Sequence, residues 1–84
     1  SDLGKGRLFN IALLKPGCAV GNHKHQGEAE IYYILEGEGI YNDNGVESSI
    51  KAGDVTVCND GESHGLLNTG KTDLKMVALI LFTK

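Results

Sequence analysis

The sequence predicts an all-β domain, either a sandwich or a barrel, and three observations support that prediction. Short apolar segments are separated by turns rich in glycine, asparagine and aspartate, with 12 glycines and one proline in 84 residues. These turns recur about every 8–12 residues, a spacing typical of sandwiches and barrels. No segment combines the capping residues and the periodicity of an amphipathic helix.

The turns divide the chain into eight predicted strands. Asn44-Gly45 is a strong hairpin signal and joins the fourth strand to the fifth. The predicted strands are 7–14, 20–25, 30–36, 38–42, 46–51, 54–58, 64–68 and 74–83. The predicted turns lie at 16–17, 43–45, 52–54, 59–61 and 68–70.

The first and last predicted strands are apolar on both faces. Residues 8–14 and 76–82 contain almost no polar side chain, whereas a strand with one solvated face alternates between apolar and polar residues. We therefore expect another surface to cover these strands, and a second subunit is the simplest one. The alternative is a closed core covered by the chain's own loops, for which so short a chain leaves little material. A homodimer is the expected assembly.

Length and charge limit the class of protein. The chain forms one domain, residues 1–84, and buries only about 60–65% of its unfolded surface, so a bound metal or partner would help to stabilise it. No apolar run approaches the roughly 18 residues of a membrane span. The net charge is −3 and the lysines and arginine are scattered, which argues against nucleic-acid binding. We expect neither a membrane nor a nucleic acid as a partner.

The two cysteines, Cys18 and Cys58, lack the spacing of a zinc or redox motif. Each lies in an apolar stretch, where a buried free thiol is the usual outcome, and a disulfide between them stays open. A reducing cytoplasm is the expected location. The chain begins with Ser1 rather than methionine and without a signal-peptide pattern, so an upstream segment could be missing.

Three histidines and a glutamate form the most informative pattern in the chain. His23 and His25 are two residues apart, Glu30 follows five residues later, and His64 is the third and last histidine. Alternate side chains of a strand share one face, so His23 and His25 can direct both imidazoles at one point. Three imidazoles and a carboxylate are a common ligand set for a divalent transition metal. The alternative is that the three histidines are unrelated surface residues. The short spacing of His23 and His25, with Glu30 nearby, disfavours this alternative.

The spacing around these residues resembles the first motif of the cupin superfamily, G(X)5HXH(X)3–4E(X)6G. Gly17 is followed by five residues and then by His23 and His25. Glu30 comes after four more residues, and Gly37 after another six. Every fixed position of the motif is therefore filled.

A later segment resembles the second cupin motif, G(X)5PXG(X)2H(X)3N. Gly53, Gly61, His64 and Asn68 fill its fixed positions, and Asn59 replaces the usual proline. Asparagine tolerates turn conformations, so we expect the turn to survive. The two motifs together cover residues 17–68 and are separated by 15 residues, as in small microbial cupins.

The resemblance implies a double-stranded β-helix, or jelly-roll barrel, with one metal ion held inside it by His23, His25, Glu30 and His64. Such a ligand set without thiolates suits Mn, Fe, Ni, Co or Zn rather than Cu(I) or an iron–sulfur cluster. Histidine and glutamate ligands on barrel walls are expected to leave a coordination position open for water or substrate.

Three neighbours of the predicted ligands have two interpretations each. Tyr32 shares the face of Glu30 by strand alternation, and it either fills the cavity wall or donates a hydrogen bond to a bound molecule. Glu28 is either solvated or reaches the cavity mouth. Asn68 either ties strand ends together or touches the cavity.

Inward-pointing cations are missing from the predicted pocket. Lys24 lies between the two histidines of the pair and so points away from them, and Arg7 is the only arginine. A sugar phosphate or a dicarboxylate usually requires such a cation. The sequence therefore favours a neutral or monoanionic small molecule that binds directly to the metal.

Two classes of function fit this pattern. The first is a metal-dependent enzyme acting on a small organic molecule, of the dioxygenase, decarboxylase, isomerase or lyase type, as the resemblance implies. The second is a non-catalytic cupin domain that binds a metal or a small ligand, or that serves as a regulatory module. The complete ligand set favours the enzyme, because a purely structural barrel does not need such a cluster.

Overall fold

A computed structural model describes residues 6–82 of the chain as eight strands. Each predicted strand is present, with ends that differ by at most two residues, and the predicted end at Thr83 lies outside the described residues. The strands are β1 (Gly6–Leu14), β2 (Ala19–Lys24), β3 (Glu28–Glu36), β4 (Glu38–Asp43), β5 (Val46–Lys51), β6 (Val55–Cys58), β7 (Ser63–Leu67) and β8 (Leu74–Phe82).

The strands form two four-stranded sheets in which every pairing is antiparallel. The first sheet has the order β1-β8-β3-β6, and the second has the order β2-β7-β4-β5. Neighbouring strands are mostly distant in sequence, which is the connectivity of a jelly roll. The predicted all-β class is thus confirmed. Among residues 6–82 there is no helix that could span a membrane.

The core lies between the two sheets and occupies one end of the barrel. Ile34 on β3 and Leu74 on β8 are fully buried there, and Tyr41 and Leu66 of the second sheet pack against them. Side chains alternate along β3, so Glu30, Tyr32 and Ile34 all face inward. The same strand therefore reaches from the apolar core to a polar cluster at the other end.

The β4–β5 hairpin has the geometry that its sequence predicts. Asp43 pairs with Val46, which leaves a two-residue loop. Asn44 and Gly45 adopt φ values of 52° and 92°, as a type I′ turn requires.

Gly37 and Asn68, two fixed positions of the cupin motifs, have structural roles. Gly37 has a φ of 90°, and a Cβ atom there would lie 2.6 Å from the carbonyl oxygen of Asp73, so only glycine fits. The buried Asn68 amide donates to the carbonyl oxygens of Leu14 (2.8 Å) and Thr72 (2.9 Å). Asn68 therefore joins strand ends, which is the first of its two interpretations.

The turn at 59–62 forms without the usual proline. The backbone N–H of Asn59 donates to the Glu62 carboxylate (2.9 Å), and the N–H of Glu62 donates to the Asn59 carbonyl oxygen (3.0 Å). Proline could not make the first of these bonds, because it has no N–H.

The outer face of the first sheet is apolar. Inward side chains of β8 are buried, but the side chains on the opposite face of β8 are only half-buried. On the neighbouring strands Ile31 is half-buried, whereas Ile11, Leu13 and Tyr33 are exposed. Lys75 is the charged residue of β8 on this side. The remaining residues of this outer apolar face are Ile11, Leu13, Ile31, Tyr33, Val55, Val57, Val77, Leu79 and Leu81.

Candidate metal centre

Strand pairing brings the four predicted ligands together. On the second sheet, His23 of β2 pairs with His64 of β7, after an irregularity in the register that follows Val20. His25 lies one residue beyond the end of β2, where its backbone is hydrogen-bonded to Glu62 and Gly61 of the turn.

Glu30 approaches the same point from the first sheet. It lies on the inward face of β3, and its carboxylate is buried opposite the histidines. Each sheet thus contributes part of the cluster, so the cluster forms only when the two sheets are packed together.

The ligand atoms converge on one point. Oε1 of Glu30 lies 2.7 Å from Nε2 of His64, 2.9 Å from Nε2 of His25 and 3.4 Å from Nε2 of His23. The Nε2 atoms of His25 and His64 are 3.2 Å apart. Two ligand atoms that are each about 2.1 Å from one ion lie roughly 3.0–3.4 Å apart at angles of 90–109°. All four ligand atoms lie within 4.8 Å of one another, with the shorter distances close to this range, so the cluster could hold a single transition-metal ion.

In each imidazole, Nδ1 points away from the cluster and is hydrogen-bonded to a different oxygen. Nδ1 of His23 donates to the carbonyl oxygen of Gly21 (2.9 Å), and Nδ1 of His25 donates to the Glu28 carboxylate (3.1 Å). Nδ1 of His64 shares a hydrogen bond of 2.8 Å with the Tyr41 hydroxyl. Such contacts fix the orientation of a ligating imidazole and leave its Nε2 lone pair for the metal.

The charge of Glu30 is maintained by the histidines. Burial raises the pKa of this carboxyl group, but hydrogen bonds from His64 and His25, together with the charge of His64, outweigh burial and lower the pKa to about 2. The carboxyl group is therefore ionised at neutral pH.

Two tyrosines enclose His64. Tyr32 stacks on the imidazole with ring centroids 4.8 Å apart and planes inclined by 17°, and Tyr41 meets it edge-on at 5.6 Å. Burial raises the pKa of Tyr32, and the nearby Glu30 charge raises it further. Burial also raises the pKa of Tyr41, to about 12. Both hydroxyls therefore keep their protons at neutral pH.

The accessible side of the cluster is at His23. Its side chain is 37% exposed, compared with 8% for Glu30, 6% for His25 and 0% for His64. Tyr32 is only 2% exposed, so it forms an inner wall rather than the mouth. The Glu28 carboxylate accepts a hydrogen bond from His25. It is therefore neither simply solvated nor available to bind a ligand at the cavity mouth.

Sequence reasoning missed two residues of the site. Tyr41 lies outside the fixed positions of both motifs, and its place beside His64 depends on the pairing of β4 with β7. Cys58 pairs with Glu30 in register and is fully buried. Burial raises the pKa of its thiol to about 11, with help from the Glu62 charge, so it stays protonated.

The expectation that both cysteines are buried holds for Cys58 alone. Cys18 is exposed, because it follows the turn at Gly17, and both thiols are free. A disulfide between them is therefore not formed.

A protein-family model described as a cupin domain matches residues 10–80. The chain belongs to the cupin superfamily. The fold and the His3Glu cluster agree with this membership.

Curated relatives of this cupin are longer than the chain. An oxalate-binding protein from Thermotoga maritima is 57% identical over 77 residues, which are 92% of the chain and 64% of that protein. The uncharacterised protein MJ1618 from Methanocaldococcus jannaschii is 33% identical over 66 residues, which are 79% of the chain and 53% of that protein. The chain therefore spans less than two thirds of either relative.

Solved cupin structures have the same fold. A predicted oxalate decarboxylase from Thermotoga maritima superposes with a TM-score of 0.91 and 56% identity, covering 93% of the chain and 68% of that structure. KdgF from Halomonas superposes with a TM-score of 0.87 at 17% identity, covering 96% of the chain and 72% of that structure. The second likeness concerns the fold alone.

Proposed function

We propose that this cupin binds one divalent transition metal through His23, His25, Glu30 and His64, and that the ion binds a small carboxylate, with oxalate as the first candidate. The convergence of three Nε2 atoms on the Glu30 carboxylate is the observation that carries the proposal. Mn, Fe, Ni, Co and Zn all accept such ligands.

Charge balance supports an anionic ligand despite the missing arginine. A divalent ion with one carboxylate ligand leaves a net charge of about +1 in a buried site, and this charge attracts an anion directly. The sequence alone favoured a neutral or monoanionic molecule bound directly to the metal, because it places no inward-pointing cation in the pocket. The name of the Thermotoga relative supports oxalate.

The size of the site supports a small ligand. Tyr32, Tyr41 and Leu66 fill the barrel interior behind the cluster, and each is at most 5% exposed. A molecule that reaches the ion must therefore lie on the side of His23, where the site is accessible.

Oxalate should bind the metal-loaded protein and not the metal-free protein. Calorimetric titration of manganese-loaded, zinc-loaded and chelator-treated samples with oxalate checks this expectation. Acetate, with one carboxylate, is the matched control and should bind at least ten-fold more weakly, because it cannot contribute two separate carboxylates to the ion. Equal binding of oxalate by the metal-free protein, or no binding by either loaded sample, would contradict the proposal.

An oxalate decarboxylase is the second candidate, favoured by the description of the Thermotoga structure. Such an enzyme converts oxalate and one proton into formate and carbon dioxide, so it needs a group that supplies the proton. Near the cluster, the described side chains are already committed: Glu28 accepts from His25, and burial raises the pKa values of Tyr32, Tyr41 and Cys58. This arrangement favours binding. Formate release from oxalate by the loaded protein would establish the enzyme instead.

We also propose that a second copy of the chain covers the outer apolar face. Ile11, Leu13, Tyr33, Val55 and Val57 are 44–59% exposed, and half-buried apolar residues of β3 and β8 lie between them. Together they present an apolar surface on the order of 600 Å², at the upper limit for a monomer. This area approaches the roughly 800 Å² that each partner contributes to a standard interface. An apolar face can pack against its own copy around a two-fold axis.

The protein should have roughly twice its chain mass of 9.0 kDa in solution. Light scattering at micromolar concentration measures this mass. Ile11→Glu, at a position that is 56% exposed in the single chain, should yield monomers because it buries a charge in the interface. Val46→Glu, at a 69% exposed position on the other sheet, is the matched control and should leave the dimer intact. A monomeric unmodified protein would refute the proposal.

A further inference from the structure

The turn between β4 and β5 is hydrogen-bonded to the start of β7. The backbone N–H of Asn44 donates to the carbonyl oxygen of Ser63, and the backbone N–H of Ser63 donates to Oδ1 of Asn44; both distances are 2.9 Å. Ser63 is half-buried and directly precedes His64 in β7. Asn44 therefore contacts both backbone hydrogen-bonding groups of the residue beside a predicted ligand.

The side chain of Asn44 extends the ladder between β4 and β7. Regular pairing ends where Asp43 lies opposite His64, and the next pair would join Asn44 to Ser63. The two residues of such an antiparallel pair exchange two backbone hydrogen bonds. Asn44 already belongs to the turn, with a φ of 52°, and its Oδ1 accepts the bond that a strand carbonyl oxygen would accept. Asparagine suits this position because it tolerates a positive φ and also supplies an acceptor.

The segment 61–64 determines the position of two predicted ligands. His64 belongs to it, and the backbone of His25 is hydrogen-bonded to it twice. The N–H of His25 donates to the carbonyl oxygen of Glu62 (3.1 Å), and the N–H of Gly61 donates to the carbonyl oxygen of His25 (2.8 Å). These bonds lie on the β2 side of the segment, whereas Asn44 is bonded to its β4 side. A displacement of the segment would therefore move both His25 and His64.

We propose that Asn44 is a positioning residue of the metal site, which fixes the segment 61–64 from the β4 side and so keeps His25 and His64 in place before an ion binds. Tyr41 of the same strand is hydrogen-bonded to the imidazole of His64, and Asn44 fixes the backbone beside it. Ligands that are already ordered lose less conformational freedom on binding, so the site binds its ion more tightly. The inference rests on the proposed metal site.

The turn itself does not require the side chain of Asn44. Gly-Gly forms type I′ turns as Asn-Gly does, so glycine at position 44 would also satisfy the backbone. Within the turn, the N–H of Gly45 donates to Oδ1 of Asn42 (2.8 Å), and this bond is independent of the Asn44 side chain. The Oδ1 atom of Asn44 instead serves Ser63, on a different strand. The role in the turn and the role at β7 can therefore be separated by substitution.

Asn44→Gly preserves the turn and removes the acceptor for Ser63. It should weaken zinc binding by about five-fold, equivalent to the loss of one hydrogen bond, as measured by competition with a chromophoric chelator. Asn44→Asp keeps an acceptor oxygen, although it loses the donation to Asp43, and it should bind zinc within about two-fold of the unmodified protein. Asn42→Ala removes a hydrogen bond of the turn and leaves β7 untouched, so the zinc affinity should not change.

Hydrogen exchange of the Ser63 amide provides a second measurement. In chelator-treated unmodified protein this amide should exchange slowly, because Asn44 accepts its hydrogen bond. Exchange at the rate of an unprotected amide would overturn the inference, even if Asn44→Gly did not fold.

The zinc affinities distinguish the remaining outcomes. If the unmodified protein and Asn44→Gly bind zinc equally tightly, the inference fails and the metal site stands. An equal loss in Asn44→Gly and in either Asn44→Asp or Asn42→Ala would assign the effect to the turn as a whole and would also overturn the inference. If the unmodified protein does not bind zinc, the proposed function fails and the inference fails with it.

Discussion

His25→Ala is expected to abolish tight metal binding. A four-ligand zinc site contributes about 10–16 kcal/mol, or roughly 3 kcal/mol for each ligand, and this loss corresponds to at least a hundred-fold lower affinity. The remaining ligands cannot compensate, because the cavity left by the buried imidazole faces Glu30 rather than another donor. Competition with a chromophoric chelator measures the affinity.

Lys24→Ala is the matched control for this substitution. Lys24 precedes His25, but it is exposed and paired with Ser63 on the outer side of the ligand pair. Its removal should leave the affinity unchanged within about two-fold. Equal loss in both variants would indicate damage to β2 rather than removal of a ligand, and undiminished binding by His25→Ala would refute the ligand assignment.

Chelation of the metal should lower the melting temperature by roughly 15–30 °C. An ion present at about 1,000 times its dissociation constant stabilises the folded state by about 4 kcal/mol, and each kcal/mol shifts the melting temperature of so small a domain by about 4–8 °C. The effect is large because the ion joins the two sheets through Glu30 on one side and the histidines on the other. Calorimetric scans with and without chelator measure the difference, and His25→Ala should show none.

Acid should remove this stabilisation in two steps. The metal contribution fades below about pH 6, because imidazole must be neutral to bind a metal and free histidine titrates near 6.5. In chelated protein, the pKa of Glu30 is lowered from 4.5 to about 2, so its contribution is complete above pH 4.5 and is lost as the pH falls towards 2. Glu30→Gln should remove the second step. Superimposable melting curves with and without chelator at pH 7 would contradict the whole prediction.

The strands and turns were predictable because their signals are local. Asn44-Gly45 defines a type I′ loop by its own backbone preferences, and alternation within β3 assigns Glu30 and Tyr32 to the inward face. The four residues of the cluster were predictable because His23 and His25 are two residues apart and the spacing matches two known motifs. The sequence also predicted the apolar outer face, although the subunit expected to cover it stays a proposal.

The partners of the ligands were not predictable, because they depend on register between distant strands. Tyr41 reaches His64 only because β4 pairs with β7 and places Tyr41 opposite Leu66. Nothing in the local sequence specifies that register. Glu28 was assigned to the cavity mouth or to solvent, whereas its hydrogen bond with His25 depends on the bend after β2. Cys18 lies in an apolar stretch, but the turn at Gly17 leaves it exposed.

The separation of the ligands along the chain has a consequence for folding kinetics. His64 follows His25 by 39 residues, and β1 pairs with β8 at the opposite end of the described chain. Contacts between such distant segments are slow to form, because a long loop must close before they stabilise anything. A nascent chain therefore presents at most the His23, His25 and Glu30 side chains until β7 has been synthesised. An ion held by all four residues would therefore be bound only after β7 has paired with β2.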